Sequence, residues 1–366
     1  MRLTVVILFF SLITLIHGET LFNGKDLAGW HHEGPRHSFF AAGGELRTSG
    51  RAHSGNWLRS EREYENFRLT FEYKLAQWAE AAVILRAPRT ERPQHAGLTI
   101  MLAHDFHNKL SKHVTGALMG LAAPSSLLPP DWGKWHKAAI DLQGDRLKLS
   151  IDGVELQDVR VPDSRLRRGY IGFPDMGHGY AVRNIEIEDL GSPTQFTSLI
   201  RDGSVKGWDL RGGGNWQAGR DTIEASNGHG ILYAPGTFGD FELTAVVRSH
   251  ARTNSGVFLR GDATGPRRGF EVQIYSPVDS VFPTGSIYGL VRSRISADFE
   301  ERWFLLQVRV IGATCRVWLD GELAAETDEL PADARKPGRI GLQIHMEDTR
   351  VEFRDLRVRE LQPQAQ

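Results

Sequence analysis

The sequence has 366 residues, with 44 Lys+Arg against 45 Asp+Glu for a formal charge of −1. That balance excludes a protein that captures nucleic acid or an anionic membrane surface through bulk electrostatics. Hydrophobic residues at 40%, charged residues at 24% and 39 glycines describe a turn-rich globular protein, and the length suggests about two domains. The single cysteine, Cys315, excludes an intrachain disulfide and a cysteine-based zinc site.

Arg2 is followed by an apolar run from Leu3 to Ile16, too short to span a bilayer comfortably, which ends at Gly18 before Glu19. Residues 1–18 therefore read as a cleavable export signal, with a retained anchor as the competing reading because the box Ile16-His17-Gly18 is imperfect. The mature chain is expected in the periplasm or outside the cell, with no membrane insertion after cleavage.

The remainder repeats itself once. Leu21-Phe22-Asn23-Gly24-Lys25-Asp26-Leu27-Ala28-Gly29-Trp30 returns in degraded form at 199–208. Val83-Ile84-Leu85-Arg86 returns as Val257-Phe258-Leu259-Arg260, and Thr115 to Leu121 as Thr284 to Leu290. Trp135 pairs with Trp303, Asp152-Gly153 with Asp320-Gly321, and Gly169 to Gly172 with Gly338 to Gly341. Order is kept throughout while the offset drifts smoothly, as expected for two copies of one domain rather than a solenoid. The first copy is assigned to 19–191 and the second to 196–362, joined by Leu190-Gly191-Ser192-Pro193-Thr194-Gln195.

Each copy reads as a run of strands. Phe67 to Tyr73, Ala138 to Leu142 and Leu147 to Ile151 alternate with period two, and both Asp-Gly pairs predict type I′ hairpin turns. The expected fold is all-β, a sandwich of antiparallel sheets in each copy. Cys315 aligns with Leu147 and reads as a small buried hydrophobe.

The two copies differ in one row of residues. Phe270-Glu271-Val272-Gln273-Ile274-Tyr275 places Glu271, Gln273 and Tyr275 on one face of a strand, whereas its counterpart Leu98-Thr99-Ile100-Met101-Leu102-Ala103 keeps only the apolar row. Gln343 and His345 share a face of Ile340 to His345, against Ile171-Gly172-Phe173-Pro174; Asn254-Ser255-Gly256 stands against Glu80-Ala81-Ala82, and Tyr288 against Met119. Only Arg260 has a clear counterpart, Arg86. Carboxylates, amides and an aromatic ring in one patch suit sugar hydroxyls and a sugar face, while a solvated outer sheet face would need no function. The coordinated loss favours a site in the second copy, with the first as scaffold or as a binder of something else.

The run at 21–30 resembles the opening signature of the 3-keto-disaccharide hydrolase domain family. Asn254 to Arg260, Phe270 to Ile274, Thr284 to Gly289, Ile340 to His345 and Phe353-Arg354-Asp355 resemble its later motifs. The likeness covers nearly all of the mature chain as two tandem copies. It implies two concanavalin A-like jelly-roll β-sandwiches and an exported protein of carbohydrate metabolism. The first copy keeps the opening signature and lacks the polar motifs; the second keeps those motifs with a degraded opening, and Tyr275-Ser276-Pro277 lacks an acidic residue expected there.

The implied chemistry begins at a ketone on C3 of a sugar, which acidifies the C2 hydrogen. A base removes that hydrogen, the glycosidic oxygen leaves by elimination, and water adds back. Glu271 and His345 are the candidate bases, Arg260 or Gln343 holds the enolate, and Tyr288 protonates or positions the leaving group; Asn254, Gln273 and Tyr275 complete the candidate substrate contacts. An ordinary glycosidase needs two carboxylates about 5–10 Å apart, and Glu347 and Asp348, just past His345, read as loop charges. The alternative class is a non-catalytic carbohydrate-binding or scaffold protein, since the fold alone does not decide function. The expected partner is an oligosaccharide or glycoside and not nucleic acid.

No cofactor is expected, although a structural calcium on Asp and backbone oxygens suits such sandwiches. The groups His31, His32 and His37, and His104, Asp105, His107 and His113, fit no helix-based zinc spacing and read as solvated loops. Arg260-Gly261-Asp262 is a chance adhesion tripeptide. Trp57, Trp78, Trp132, Trp216 and Trp318 read mostly as core, with sugar platforms as their alternative role.

Overall fold

The computed structural model describes residues 18–34, 38–50, 55–102, 109–129, 131–201, 203–261, 269–277 and 280–362. Apart from Gly18, the expected export signal lies outside the described residues. The only helical segments among them are single turns, Pro93–Ala96 and Ala332–Arg335. No described helix is long and apolar enough to cross a membrane.

In the first half, eight strands form one antiparallel sheet. Its central strands are His136–Gln143, Phe67–Leu75 and Tyr180–Asp189. A second sheet of five runs in the order Trp30–Glu33, Trp57–Tyr64, Gly169–Pro174, Ala82–Ala87, Leu98–Met101. Alternation explains the layers: Phe67, Leu69, Phe71 and Tyr73 from the first sheet meet Leu58, Val83, Leu85 and Ile100 from the second in one core.

The second half repeats this arrangement with its layers joined. Thr222–Tyr233 and Arg339–Glu360 each run through both layers, so their eleven strands are connected by hydrogen bonds into one sheet. The five-strand front layer keeps its order: Asp209–Gly212, the end of Thr222–Tyr233, the start of Arg339–Glu360, Ser255–Gly261 and Phe270–Ile274. The chain is therefore all-β, with two tandem jelly-roll sandwiches of the concanavalin A-like type. At the expected hairpins φ is positive at both residues, 50° and 80° at Asp152-Gly153 and 46° and 78° at Asp320-Gly321, as a type I′ turn requires. Cys315 is fully buried in the second core, where loss of solvent raises its thiol pKa.

One buried arginine braces each sandwich. Arg260, with φ 53°, donates to the carbonyls of Gly239 (2.8 Å), Gly312 (2.6 Å) and Ala334 (3.1 Å) and to Asp240 (2.9 Å). Arg86, with φ 50°, donates to the Glu65 carbonyl (2.9 and 2.6 Å) and to Gly144 (2.9 Å). Burial pulls both guanidinium pKa values down, that of Arg86 to about 10. The left-handed backbone at these strand ends is shared by both copies.

The two sandwiches meet through ion pairs. Arg357 donates to both Glu63 carboxylate oxygens at 2.8 Å, Arg89 binds Asp355 (2.8 and 3.0 Å) and Asp221 (2.6 Å), and Arg309 reaches Asp163 at 2.8 Å. Ala96, Val246, Trp303, Leu305 and Leu166 form the apolar part of the junction. The linker is held as well, since Thr194 donates to both oxygens of the buried Glu65 through its N–H and hydroxyl.

Removing a buried cation strands every acceptor it served. Arg260→Ala should destabilise the protein by about 3–5 kcal/mol, as loss of one partner in a buried ionic network does. Urea unfolding followed by tryptophan fluorescence measures it, and Arg86→Ala should act similarly on the first half.

Candidate functional site

Strand parity places the polar row of the second copy outside the core. Phe270, Val272 and Ile274 point into the hydrophobic core with Leu342 and Ile344. Glu271 and Gln273, and Gln343 and His345, therefore share the outer face of the front layer.

Gly256 is the centre of this face. In register it lies opposite Gln273 on one neighbouring strand and opposite Gln343 on the other. A methyl group at Gly256 would fall 2.0 Å from Glu271 Oε1, so the carboxylate occupies the space that the missing side chain leaves. The first copy has Ala82 there, opposite Met101, with Thr99 in place of Glu271. The glycine and the glutamate are thus linked by steric necessity.

The Glu271 carboxylate makes no ion pair among the described residues, and burial alone pushes its pKa up to about 8. The Gln273 amide is best satisfied with its nitrogen donating to Glu271 Oε1 and to the Ser255 carbonyl, both at 3.2 Å. Gln343 Oε1 is buried with no hydrogen-bond partner among the described residues. A half-buried carboxyl that titrates near 8 beside an unsatisfied amide oxygen is an arrangement suited to exchanging a proton with a hydroxyl-rich ligand.

Other predicted residues border this centre. Asn254 accepts the His345 N–H through its carbonyl at 3.1 Å. The Tyr288 N–H donates to the Glu271 carbonyl at 2.9 Å, which sets Tyr288 directly across from Glu271, and the residue is 52% exposed. Sequence reasoning missed His229. It lies opposite His345 in register, and the two rings stack edge to face with centroids 4.9 Å apart. Its signal was faint: the Gly-flanked Asn227-Gly228-His229-Gly230 resembles a loop, yet its place in a long strand gives His229 the parity of His345.

The family model described as 3-keto-alpha-glucoside-1,2-lyase-like domain matches the chain twice, over residues 18–188 and 195–359. The chain belongs to this family. No curated protein matches it. Among solved structures, a "putative glycosyl hydrolase" from Parabacteroides distasonis ATCC 8503 is 18% identical, with a TM-score of 0.43, covering 48% of this chain and 95% of that one. The carbohydrate-binding module CBM66 from Bacillus subtilis is 16% identical, with a TM-score of 0.33 and coverage of 42% and 96%. A protein of unknown function with a galectin-like fold, also from Bacillus subtilis, is 15% identical, with a TM-score of 0.32 and coverage of 46% and 96%.

Two expected residues of this lyase-like domain stand elsewhere. Arg260 does not join the front-layer face: its guanidinium is spent on three carbonyls and Asp240, because the left-handed turn at the strand end directs it into the fold. It is a structural residue, as Arg86 is. Tyr275 follows the end of its strand and lines a different hollow of about 630 Å³, together with Arg252, Thr284, Arg292, Asp298 and Glu300.

The histidine groups also need correction. His31 and His32 lie on the strand Trp30–Glu33 and not in a loop; His37, His104, Asp105 and His107 lie outside the described residues. Among the described residues, no three or more His, Cys, Asp or Glu side chains are placed together to hold a metal ion. Trp57 and Trp318 are buried, whereas Trp78 is 50% exposed and stacks on Trp132 at 5.1 Å.

Between the ordinary value of 4.5 and about 8, the folded protein holds a proton on Glu271 that the unfolded chain has released. Stability should therefore fall as pH rises through that window, and Glu271→Gln should flatten this fall, as read from urea midpoints at a series of pH values. Gly256→Ala should displace the carboxylate rather than the backbone, changing stability by less than about 1.5 kcal/mol while abolishing the raised titration, measured by NMR of the labelled carboxyl.

Proposed function

We propose that the second sandwich cleaves 3-keto-glycosides, with Glu271 as the base. The observation that carries this reading is a carboxyl held over Gly256 without a cation among the described residues, so that burial raises its pKa to about 8. Such a group is weak enough as an acid to accept a carbon-bound proton once an adjacent ketone has acidified it. Membership of the 3-keto-alpha-glucoside-1,2-lyase-like family supports a carbohydrate substrate of this kind.

The steps balance as follows. Glu271 takes the hydrogen from C2, and the electron pair of that bond moves into an enolate whose charge rests on the C3 oxygen. Collapse of the enolate forms the C1–C2 double bond and breaks the bond from C1 to the glycosidic oxygen, which leaves and takes up a proton. Water then adds at C1 while C2 regains a proton, giving the free 3-keto sugar.

The surrounding groups divide this work. Gln273 donates to the carboxylate and orients it, and Gln343 Oε1 offers an acceptor for a sugar hydroxyl. Tyr288, across from Glu271 and exposed, protonates or positions the leaving group. His345 and His229 flank the patch at the side of Gln343 and contact the sugar.

The purified protein incubated with a 3-keto-glucoside should release the aglycone, with a rate that rises through about pH 8 as Glu271 ionises. Glu271→Gln should lower kcat by roughly 10²–10⁴-fold with little change in binding. A variant that turns over like the parent would rule out Glu271 as the base, and a parent that binds the glycoside without releasing aglycone would instead favour a lectin-like role for the same face.

A further inference from the structure

A short segment beyond the strand Phe270–Ile274 extends the front layer of the second sandwich. Val272 and Ile287 form an antiparallel bridge, and both are fully buried in the second core. The Gln273 N–H donates to the Ser286 carbonyl and the Tyr288 N–H to the Glu271 carbonyl, both at 2.9 Å. Alternation on either side of the buried pair therefore puts the Tyr288 side chain on the outer face, at cross-strand spacing from Glu271.

Glu271 thus stands between two unlike neighbourhoods. On the inner side of its strand lie Phe258, in register with it, and then Gln343 and His345 on the strand Arg339–Glu360. On the opposite side the Tyr288 ring packs against Phe282, with centroids 5.3 Å apart. Phe282 is half-buried and the adjoining Val281 is 69% exposed. Two polar side chains on this side already have partners. The Ser286 hydroxyl donates to the Pro283 carbonyl at 2.6 Å and accepts the Ser293 N–H at 2.9 Å, and Arg292 donates to the Val281 carbonyl at 3.2 Å.

The first copy lacks this aromatic pair. With Thr115-Gly116 aligned on Thr284-Gly285, it has Lys112, His113 and Met119 where the second copy has Val281, Phe282 and Tyr288. The copy that carries Thr99 in place of the carboxylate has thus also lost both rings, as expected if carboxylate and rings serve one ligand.

Resting on the reading of Glu271 as the base, we propose that Tyr288 and Phe282 form the aglycone subsite and that the preferred substrate is an aryl glycoside. The sugar ring lies on the amide side of Glu271. The aglycone lies on the other side, its ring against the aromatic pair in the offset or edge-to-face contacts that such rings favour. A second sugar could also lay C–H groups on Tyr288, but its hydroxyls would meet the side chains of Val281 and Phe282, which offer neither donor nor acceptor. An aromatic aglycone gains apolar burial at the same place. It also leaves as a phenolate, which is less basic than a sugar alkoxide and is expelled from C1 more easily.

Calorimetric titration of the full chain with α-glucosides that carry no ketone reads this subsite apart from catalysis. 2-Naphthyl α-glucoside should bind with a dissociation constant below about 1 mM, and methyl α-glucoside and maltose should each bind at least about 10-fold more weakly. Tyr288→Phe keeps the ring and should keep this preference, whereas Tyr288→Ala and Phe282→Ala should each reduce it to below about 3-fold. Because Tyr288 is exposed, its variants test the subsite even if the protein does not fold without Phe282. A naphthyl preference in a protein that releases no aglycone from 3-keto-glycosides would uphold the aromatic subsite and refute the catalytic reading. Aglycone release without that preference would do the reverse. Absence of naphthyl glucoside binding, equal or tighter binding of maltose, or an undiminished preference in Tyr288→Ala would each overturn the proposal.

Discussion

A carboxylate can keep a proton near neutrality only where water is excluded and no cation stands beside it. Among the described residues that condition is met at Glu271, and Gly256 makes it feasible: the neighbouring strand lacks a side chain there, so the carboxyl lies down on the sheet and is buried. At Asp355 the chain pairs a buried carboxylate instead. Asp355 is buried more deeply, yet against that burial the Arg89 hydrogen bonds hold its carboxyl below the ordinary range. Glutamate and aspartate in one fold thus diverge by environment, and the divergence singles out the residue proposed as the base.

The rest of the architecture keeps that environment rigid. The long strands Thr222–Tyr233 and Arg339–Glu360 run from the front layer into the back layer, so the sheet that carries the site is continuous with the sheet that carries the core. Arg260 ties the front-layer strand to three loops. In the first sandwich Arg86 does the same and the hairpin turns are alike, yet the front layer has Thr99, Met119 and Ala82 in place of Glu271, Tyr288 and Gly256. Backbone and bracing are common property of the two halves; the side chains on this face are not.

Much of this was legible in the sequence. Period-two alternation fixed which side of Phe270–Ile274 faces solvent, because a one-residue slip would have buried Glu271 and exposed Val272. Comparing the copies isolated Glu271, Gln273, Gln343 and Tyr288, and the Asp-Gly pairs marked their hairpins. Arg260 was misread because an arginine at the end of an apolar strand resembles an anion holder, and nothing local reveals the left-handed φ that turns it inward. The signal was present in its counterpart: a residue retained in the copy that lost every other polar group belongs to the shared fold. His229 and the stacking on His345 depended on a pairing between distant strands, which alternation within one segment does not specify. The same holds for the ion pairs between the halves, whose partners lie as far apart as Glu63 and Arg357.

Proton removal from carbon is the claim on which the functional account stands, and isotope exchange reads it directly. A 3-keto-glucoside cleaved in heavy water should yield a free 3-keto sugar carrying deuterium at C2, with both cleavage and labelling lost in Glu271→Gln and absent without protein. Aglycone release that leaves hydrogen at C2 would mean direct displacement at C1, and would contradict the account.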